Sequence, residues 1–255
     1  MAEADKNSRK WLLKERLLHS QRLAALGELS AGIAHEINNP LAIIRQEAEW
    51  MQHLLKKDTL GANEVEELRG CIHQVVQEVE RCTQIIRNLL DFARQREPVV
   101  QAVDVNRIVE DMTMLVEKEA RNNNIAIDRR YDPELPLIDS DAPGLRQVVL
   151  NILSNACQAI GKDGTVTIIT RSGVNGVEIV IQDTGGGIPA ENLRKIFVPF
   201  FSTKPPGQGT GLGLAISHGL LQQLGGGIRV TSTVGQGTTF IISLPRQAKM
   251  EGSSP

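Results

Sequence analysis

Aromatic residues make up only 3 % of the 255 residues, so a core built on stacked rings is excluded and aliphatic packing must take its place. There is no basic tract, and the formal net charge is −2. Neither nucleic acid nor anionic lipid is therefore expected as the main partner. The three cysteines, Cys71, Cys82 and Cys157, lack metal-type spacing and read as reduced and structural, the usage of a cytosolic protein. No run approaches the roughly 18 apolar residues of a membrane helix. The charged first twenty residues contain no apolar signal-peptide core, so the expected location is the cytoplasm. What is present, 41 % hydrophobic and 23 % charged residues, is the composition of a soluble globular protein with material for one large domain or two smaller ones.

The chain changes texture near "EPVVQAVD" (97 to 104). Before it, from about Arg9 to Arg96, the pattern is helical with one proline and a single break at "KKDTLGAN" (56 to 63). After it come glycines, prolines and short alternating runs. In the later helix of the first half, Val65, Leu68, Ile72, Val75, Val79, Cys82, Ile86, Leu89 and Ala93 follow an alternating spacing of three and four, which predicts a seam against another helix. Leu23, Leu26, Ser30, Ile33 and Ile37 continue that spacing in the earlier helix. Val76, Ile85 and Leu90 lie outside the strict seam, so a two-helix hairpin leaves apolar surface uncovered. A homodimeric four-helix bundle would cover it; a hairpin capped by the second half is the competing arrangement.

Within "GELSAGIAHEINNPLAII" (27 to 44), the heptad register puts His35 opposite the seam, facing solvent, with Glu36 beside it and Asn39 one turn further on the same face. Pro40 removes the backbone hydrogen bond to the carbonyl of Glu36, so a weakened and bent turn is expected there. A neutral imidazole is a fair nucleophile, and an adjacent carboxylate can fix its tautomer and stabilise the charge that develops on attack. The Asn39 amide could orient a phosphoryl group or a water. His19, His53, His73 and His218 have no such neighbours and read as ordinary surface histidines.

The second half holds candidate nucleotide-binding residues. "DAPGLRQVVLNILSNACQAI" (141 to 160) predicts a helix with a capping aspartate and a proline in the first turn. Val148, Val149, Ile152, Leu153, Ala156 and Ile160 form its apolar face. Asn151 and Asn155 recur on another face, which a poor helix former has no reason to do unless its oxygen is used, for instance on a hard cation. In "VEIVIQDTGGGI" (177 to 188), Val177, Ile179 and Ile181 alternate, and Asp183 continues their register toward the core. A carboxylate there needs a donor such as the amino group of adenine. Gly185 and Gly187 would let backbone pass close to a flat ring. "IFVPFFSTKPPGQGTGLGLAI" (196 to 216) runs from Phe197, Phe200 and Phe201 through a loop into a glycine-led helix start, an anion cradle to which Lys204 and Thr210 could contribute. "GGGIRVTSTVGQGTTFIISLP" (225 to 245) closes the half as a hairpin turning at Gly235 and Gly237.

Taken in order, these segments resemble the sensor histidine kinases of two-component signalling from about residue 20 to 246. "HEINNPL" is similar to their phospho-acceptor box, "NILSNACQAI" to the N box, "DTGGGI" to the first glycine box, "IFVPFFSTK" to the F box, "GTGLGL" to the second and "GQGTTF" to the last turn. The H-E-x-x-N-P form is similar to the class that includes nitrogen-regulation kinases. The resemblance implies an α+β chain. A helical connector (1–20) leads into an antiparallel hairpin that forms the dimeric phosphotransfer bundle (21–97). A linker (98–104), an α/β sandwich ATP-binding domain of the Bergerat type shared with gyrase and heat-shock chaperone ATPases (105–246), and a disordered tail (247–255) follow. It implies that His35 accepts the γ-phosphoryl group of ATP, that Glu36 acts as general base, and that Asn39 positions water for dephosphorylation of the partner, a response regulator with a receiver domain. Asn155 would hold Mg²⁺ and Asp183 would read adenine. Asn151, Gly185, Gly187, Ile188, Phe200, Lys204, Gly209, Thr210, Gly211, Leu212, Gly213, Leu214 and Thr238 would complete the ATP site, with 199 to 211 as a mobile lid.

Asn151 stands where the related ATPases carry a water-activating glutamate; an amide cannot take that proton. Leu224 and Thr184 depart from the commoner histidine and asparagine of the family. An ATPase of the same fold and a catalytically silent dimeric scaffold are the competing functions. Asn151 and His35 count against the first and the intact boxes against the second. The sensory module, upstream domain or partner, is expected outside this sequence, which could be the cytoplasmic part of a membrane-bound sensor.

Overall fold

The structure, a computed structural model, describes residues 30–57, 59–93, 99–204 and 211–247, without the side chains of 30–33, 35, 36, 84 and 87–93. These residues fall into a helical unit and an α/β unit. No described helix is long and apolar enough to cross a membrane.

The helical unit pairs α1 (Ser30–Leu54) with α2 (Ala62–Ala93). The α2 start is held by Glu64, whose carboxylate accepts from the Gly61 N–H (3.1 Å) and from Lys57 Nζ (2.8 Å). A glutamate in the first turn reaching back to the residue before the helix is one half of a capping box. The helical phase differs from the expected seam. Leu54, Cys71 and Ile85 are buried, whereas Val65, Ile72, Val79 and Ile86 are 40–54 % exposed. Leu68, Val75 and Cys82 of the expected seam are half-buried, but its alternate positions are replaced on the inward side by the residue before each, Cys71 and Ile85 among them. The four exposed positions, seven residues apart, form a second apolar row. Leu89, Leu90 and Ala93 lie outside the described side chains. Pro40 is buried, and α1 runs through it without a break, so the expected bend does not interrupt the helix.

The α/β unit contains β1 (Val100–Val103), α3 (Val105–Asn122), β2 (Ile125–Arg130), β3 (Ile138–Asp141), α4 (Ala142–Ile160), β4 (Gly164–Gly173), β5 (Gly176–Asp183), α5 (Gly213–Gln223), β6 (Gly227–Thr233) and β7 (Gly237–Pro245). The main sheet has the order β2-β4-β5-β7-β6 and is antiparallel except for the β2–β4 pair; β1 and β3 form a separate antiparallel ribbon. In β5, Val177, Ile179, Ile181 and Asp183 all point into the core, as strand alternation requires. Leu145, Val148, Val149, Ile152 and Leu153 on α4 are buried in the same cluster as Ile168, Ile179 and Ile242 of the sheet. Asp141 caps α4 by accepting from the Gly144 N–H (2.9 Å), and it also accepts from the Val99 N–H (3.1 Å), tying the helix start to the ribbon. On the opposite strand register Glu178 pairs with Arg171 of the adjacent β4 (2.7 Å) and, across β7, with Arg229 of β6 (3.1 Å). All three cysteines are free thiols, and burial pushes that of Cys157 up to about 11, which suits packing rather than nucleophilic chemistry.

Candidate active site

The end of β5 delivers Asp183 to a site with a tight backbone collar. Asp183 is 3 % exposed, and its Oδ1 accepts from the N–H groups of Gly185 (2.9 Å) and Thr238 (3.2 Å). Burial raises its pKa above the ordinary carboxylate value, while those two N–H bonds hold it down. No lysine or arginine pairs with Asp183 among the described residues. Both backbone bonds end on Oδ1, so the second oxygen takes part in neither and can receive a donor from a ligand.

Ser232 on β6 joins the surrounding pieces. Its Oγ accepts from the Ile188 N–H (2.8 Å), donates to the Gly237 carbonyl (2.9 Å) and lies 3.0 Å from Thr238 Oγ1. Because its single proton is committed to Gly237, the Thr238 hydroxyl donates to it. Asp183, Gly185, Ile188 and Thr238 are thereby brought together. The two glycines have a packing reason in the fold itself. A Cβ at Gly185 would sit 2.5 Å from the Ala159 carbonyl oxygen, and one at Gly187, whose φ is +72°, would run into the Thr233 carbonyl. Their missing side chains admit the chain's own backbone. Gly237, with φ +108°, is likewise pressed against the Asp183 carbonyl.

The polar face of α4 carries the asparagine pair, both half-buried. Asn151 Nδ2 donates to Ser217 Oγ on α5 (2.9 Å), and Asn155 Nδ2 donates to Asn151 Oδ1 (3.5 Å). Gly213, the first residue of α5, packs against the Asn151 amide where a Cβ would collide with it. The glycine-led helix and the asparagine pair are thus assembled into one site. Leu214 is half-buried at the same helix start, and Gly211 and Leu212 precede it. The rings of Phe197 and His218 meet at a tilt, with centroids 5.3 Å apart and 37° between planes, and His218 is half-buried, not an ordinary surface histidine. Phe200 holds a positive φ of 65°, a strained conformation for a bulky side chain. The Lys204 N–H donates to Ser202 Oγ (3.2 Å). Gly209 and Thr210 lie outside the described residues, as do the side chains of His35 and Glu36; Asn39 is half-buried on α1.

Ser217 and Ser232 carry no signal in the sequence: a serine in an otherwise ordinary helix or strand looks like surface polarity until the partner elements are in place.

The comparisons agree with this layout. Residues 25–98 match the family model of the His Kinase A (phospho-acceptor) domain. Residues 140–248 match that of the histidine kinase-, DNA gyrase B- and HSP90-like ATPases. The chain is 37 % identical over 238 residues to the sensor histidine kinase ZraS of Escherichia coli K12, covering 92 % of this chain and 48 % of that protein. It is 38 % identical over 233 residues to the signal transduction histidine-protein kinase AtoS of the same organism, covering 91 % and 37 %. The chain thus spans about half the length, or less, of these curated relatives. Among solved structures, the catalytic domain of the histidine kinase ThkA aligns with a TM-score of 0.55 at 30 % identity, covering 59 % of this chain and 98 % of that one. The complex of ThkA with the response regulator protein TrrA aligns at 0.77 and 27 % identity, covering 94 % and 67 %. The chain belongs to the sensor histidine kinases of two-component signalling.

Proposed function

We propose that this chain is the ATP-dependent kinase core of such a sensor, phosphorylating itself on His35 and passing the phosphoryl group to an aspartate of a receiver domain. The observation that carries the reading is Asp183, a carboxylate buried with backbone donors on one oxygen only, next to a site where an asparagine pair meets a glycine-led helix start. A buried carboxylate without a cation is expensive to keep. The amino group of adenine would supply its missing donor.

In the proposed reaction a nitrogen of His35 attacks the γ-phosphorus. A nitrogen–phosphorus bond forms, the bond to the bridging oxygen breaks, ADP leaves with the electron pair, and the other ring proton is held by Glu36. A carboxylate oxygen of the receiver aspartate then takes the phosphoryl group and returns the imidazole. Asn39 would position water for the reverse duty, hydrolysis of the aspartyl phosphate. The Asn155 amide oxygen, a hard donor, would hold Mg²⁺ together with the nucleotide, and the ion would offset charge on the transferring group. Among the described residues no cluster of three carboxylate, histidine or cysteine side chains offers a metal site of its own. Asn151, having no basic oxygen to activate water, would leave ATP intact until the histidine is presented.

The proposed domains are a connector (1–20), a phosphotransfer hairpin (21–97), a linker (98–104), an ATP-binding domain (105–246) and a tail (247–255). The exposed row Val65, Ile72, Val79 and Ile86 supports a homodimer in which a second copy covers it. The work would be done in the cytoplasm, where ATP and the regulator reside. The reading is tested by mixing the labelled chain, freed of ATP, with a purified receiver domain. Label should move to the receiver in a hydroxylamine-sensitive bond; label that stays on the kinase with every receiver tried would contradict it.

A further inference from the structure

The chain that leaves α2 at Ala93 runs into β1 through Val99, and there it meets a carboxylate with a second duty. The Val99 N–H donates to Asp141 Oδ1 (3.1 Å), while Asp141 Oδ2 accepts from the Gly144 N–H in the first turn of α4 (2.9 Å). Both donors are backbone amides and both acceptors are carboxylate oxygens, so the direction of each bond is fixed by the groups themselves. Asp141 is 5 % exposed, and no lysine or arginine pairs with it among the described residues. Its charge is therefore offset by these two amides and by the positive end of the α4 dipole. A Cβ at Gly144 would stand 2.6 Å from Oδ2, so glycine leaves the carboxylate its room at the helix start. Pro98, the residue before Val99, has a fixed φ and stiffens the approach to the tie. Farther along α4 stand Asn151 and Asn155.

We propose that Asp141 is a positioning residue for phosphoryl transfer: one oxygen holds the chain arriving from the phosphotransfer hairpin, the other holds the helix that carries the asparagine pair, and together they set how bound nucleotide is presented to His35. The inference rests on the proposed function and adds a residue that touches neither ATP nor the histidine. Asn151, Asn155, Asp183 and Thr238 all belong to the α/β unit, so ATP binding does not depend on the tie. The encounter with His35, on the other unit, does. Loss of the tie should therefore lower the rate of transfer and spare the affinity for ATP.

The test is autophosphorylation of the purified full chain over a range of ATP concentrations, which separates the rate at saturating ATP from KM. Val99→Pro removes the N–H and keeps the α4 cap; proline is tolerated at the start of a strand. Val99→Ala is the control, since it keeps the N–H and trims a side chain that is 60 % exposed. Val99→Pro should lower the saturated rate about tenfold, the scale of one hydrogen bond to a charged group, with KM and melting temperature close to native, and Val99→Ala should match the native chain. Asp141→Ser gives the second route, because serine still caps a helix but has a single oxygen for two donors. It should show the same loss of rate, and the double variant Val99→Pro with Asp141→Ser should be no slower than either alone. A rise in KM with the saturated rate unchanged would make Asp141 a helix cap only, and losses that multiply in the double variant would show that the two residues do not act through one tie. Unchanged kinetics in Val99→Pro would remove the coupling. A native chain that binds ATP but takes no label would instead overturn the functional reading on which the tie depends.

Discussion

In the proposed function Asp183 carries the recognition of the nucleotide. Its second carboxylate oxygen would be the acceptor for the adenine amino group, and Asp183→Asn would place a donor there instead. A hydrogen bond to a charged group is worth about 1.5–3 kcal/mol, so the variant should bind ATP about 10- to 100-fold more weakly while its Oδ1 still receives the two backbone bonds. The same change has an opposite effect on the unliganded fold. Burial raises the carboxyl pKa above its ordinary 3.8, so the folded chain holds this proton more tightly than the unfolded one. The stability so contributed is fully present below the ordinary value and is lost as pH rises through the raised one. The amide that replaces the carboxyl does not titrate, so the melting temperature of Asp183→Asn should gain on that of the native chain across that window. A constant difference from acid to neutral pH would show that burial of the charge costs nothing. Asp183 was legible in the sequence because strand alternation carries it to the core face. Ser232, which ties Ile188, Gly237 and Thr238 to the same site, was not, because nothing in β6 distinguishes it from its neighbours until β7 lies beside it.

At the scale of elements, period proved easier to read than phase. β5 follows its alternation residue by residue, and α4 begins at its capping aspartate. The β6–β7 hairpin turns at the glycines that marked it. The α2 heptad announced a helix seam and placed Leu68, Val75 and Cys82 on its half-buried side, but the neighbouring inward row is the mixed one of Glu64, Cys71, Glu78 and Ile85, which apolar spacing does not mark. The structure turns Cys71 and Ile85 inward and leaves the row of Val65, Ile72, Val79 and Ile86 open. The parallel β2–β4 pair was not legible either, since its register depends on where the β3–α4 crossover returns the chain. The open row predicts the outcome of a charge placed on it. Val79→Glu should leave α2 helical by circular dichroism, because the side chain is already 49 % exposed within one chain, yet should convert a dimer into a monomer by light scattering. A variant that remains dimeric would place the dimer contact on another face.

For the whole molecule, the division of labour follows the division of the fold. The helical unit contains His35, Glu36 and Asn39, and the α/β unit contains Asn151, Asn155, Asp183 and Thr238. On the proposed function the first unit would carry the nucleophile and the second the nucleotide site. The most direct measurement is incubation of the purified chain with Mg²⁺ and γ-labelled ATP, beside His35→Gln, with the stability of the label tested in acid and in base. A phosphohistidine at residue 35 gives label that is lost in acid, survives base and is absent from the variant. Label that survives acid, or that persists when His35 is replaced, would contradict histidine kinase chemistry at this residue.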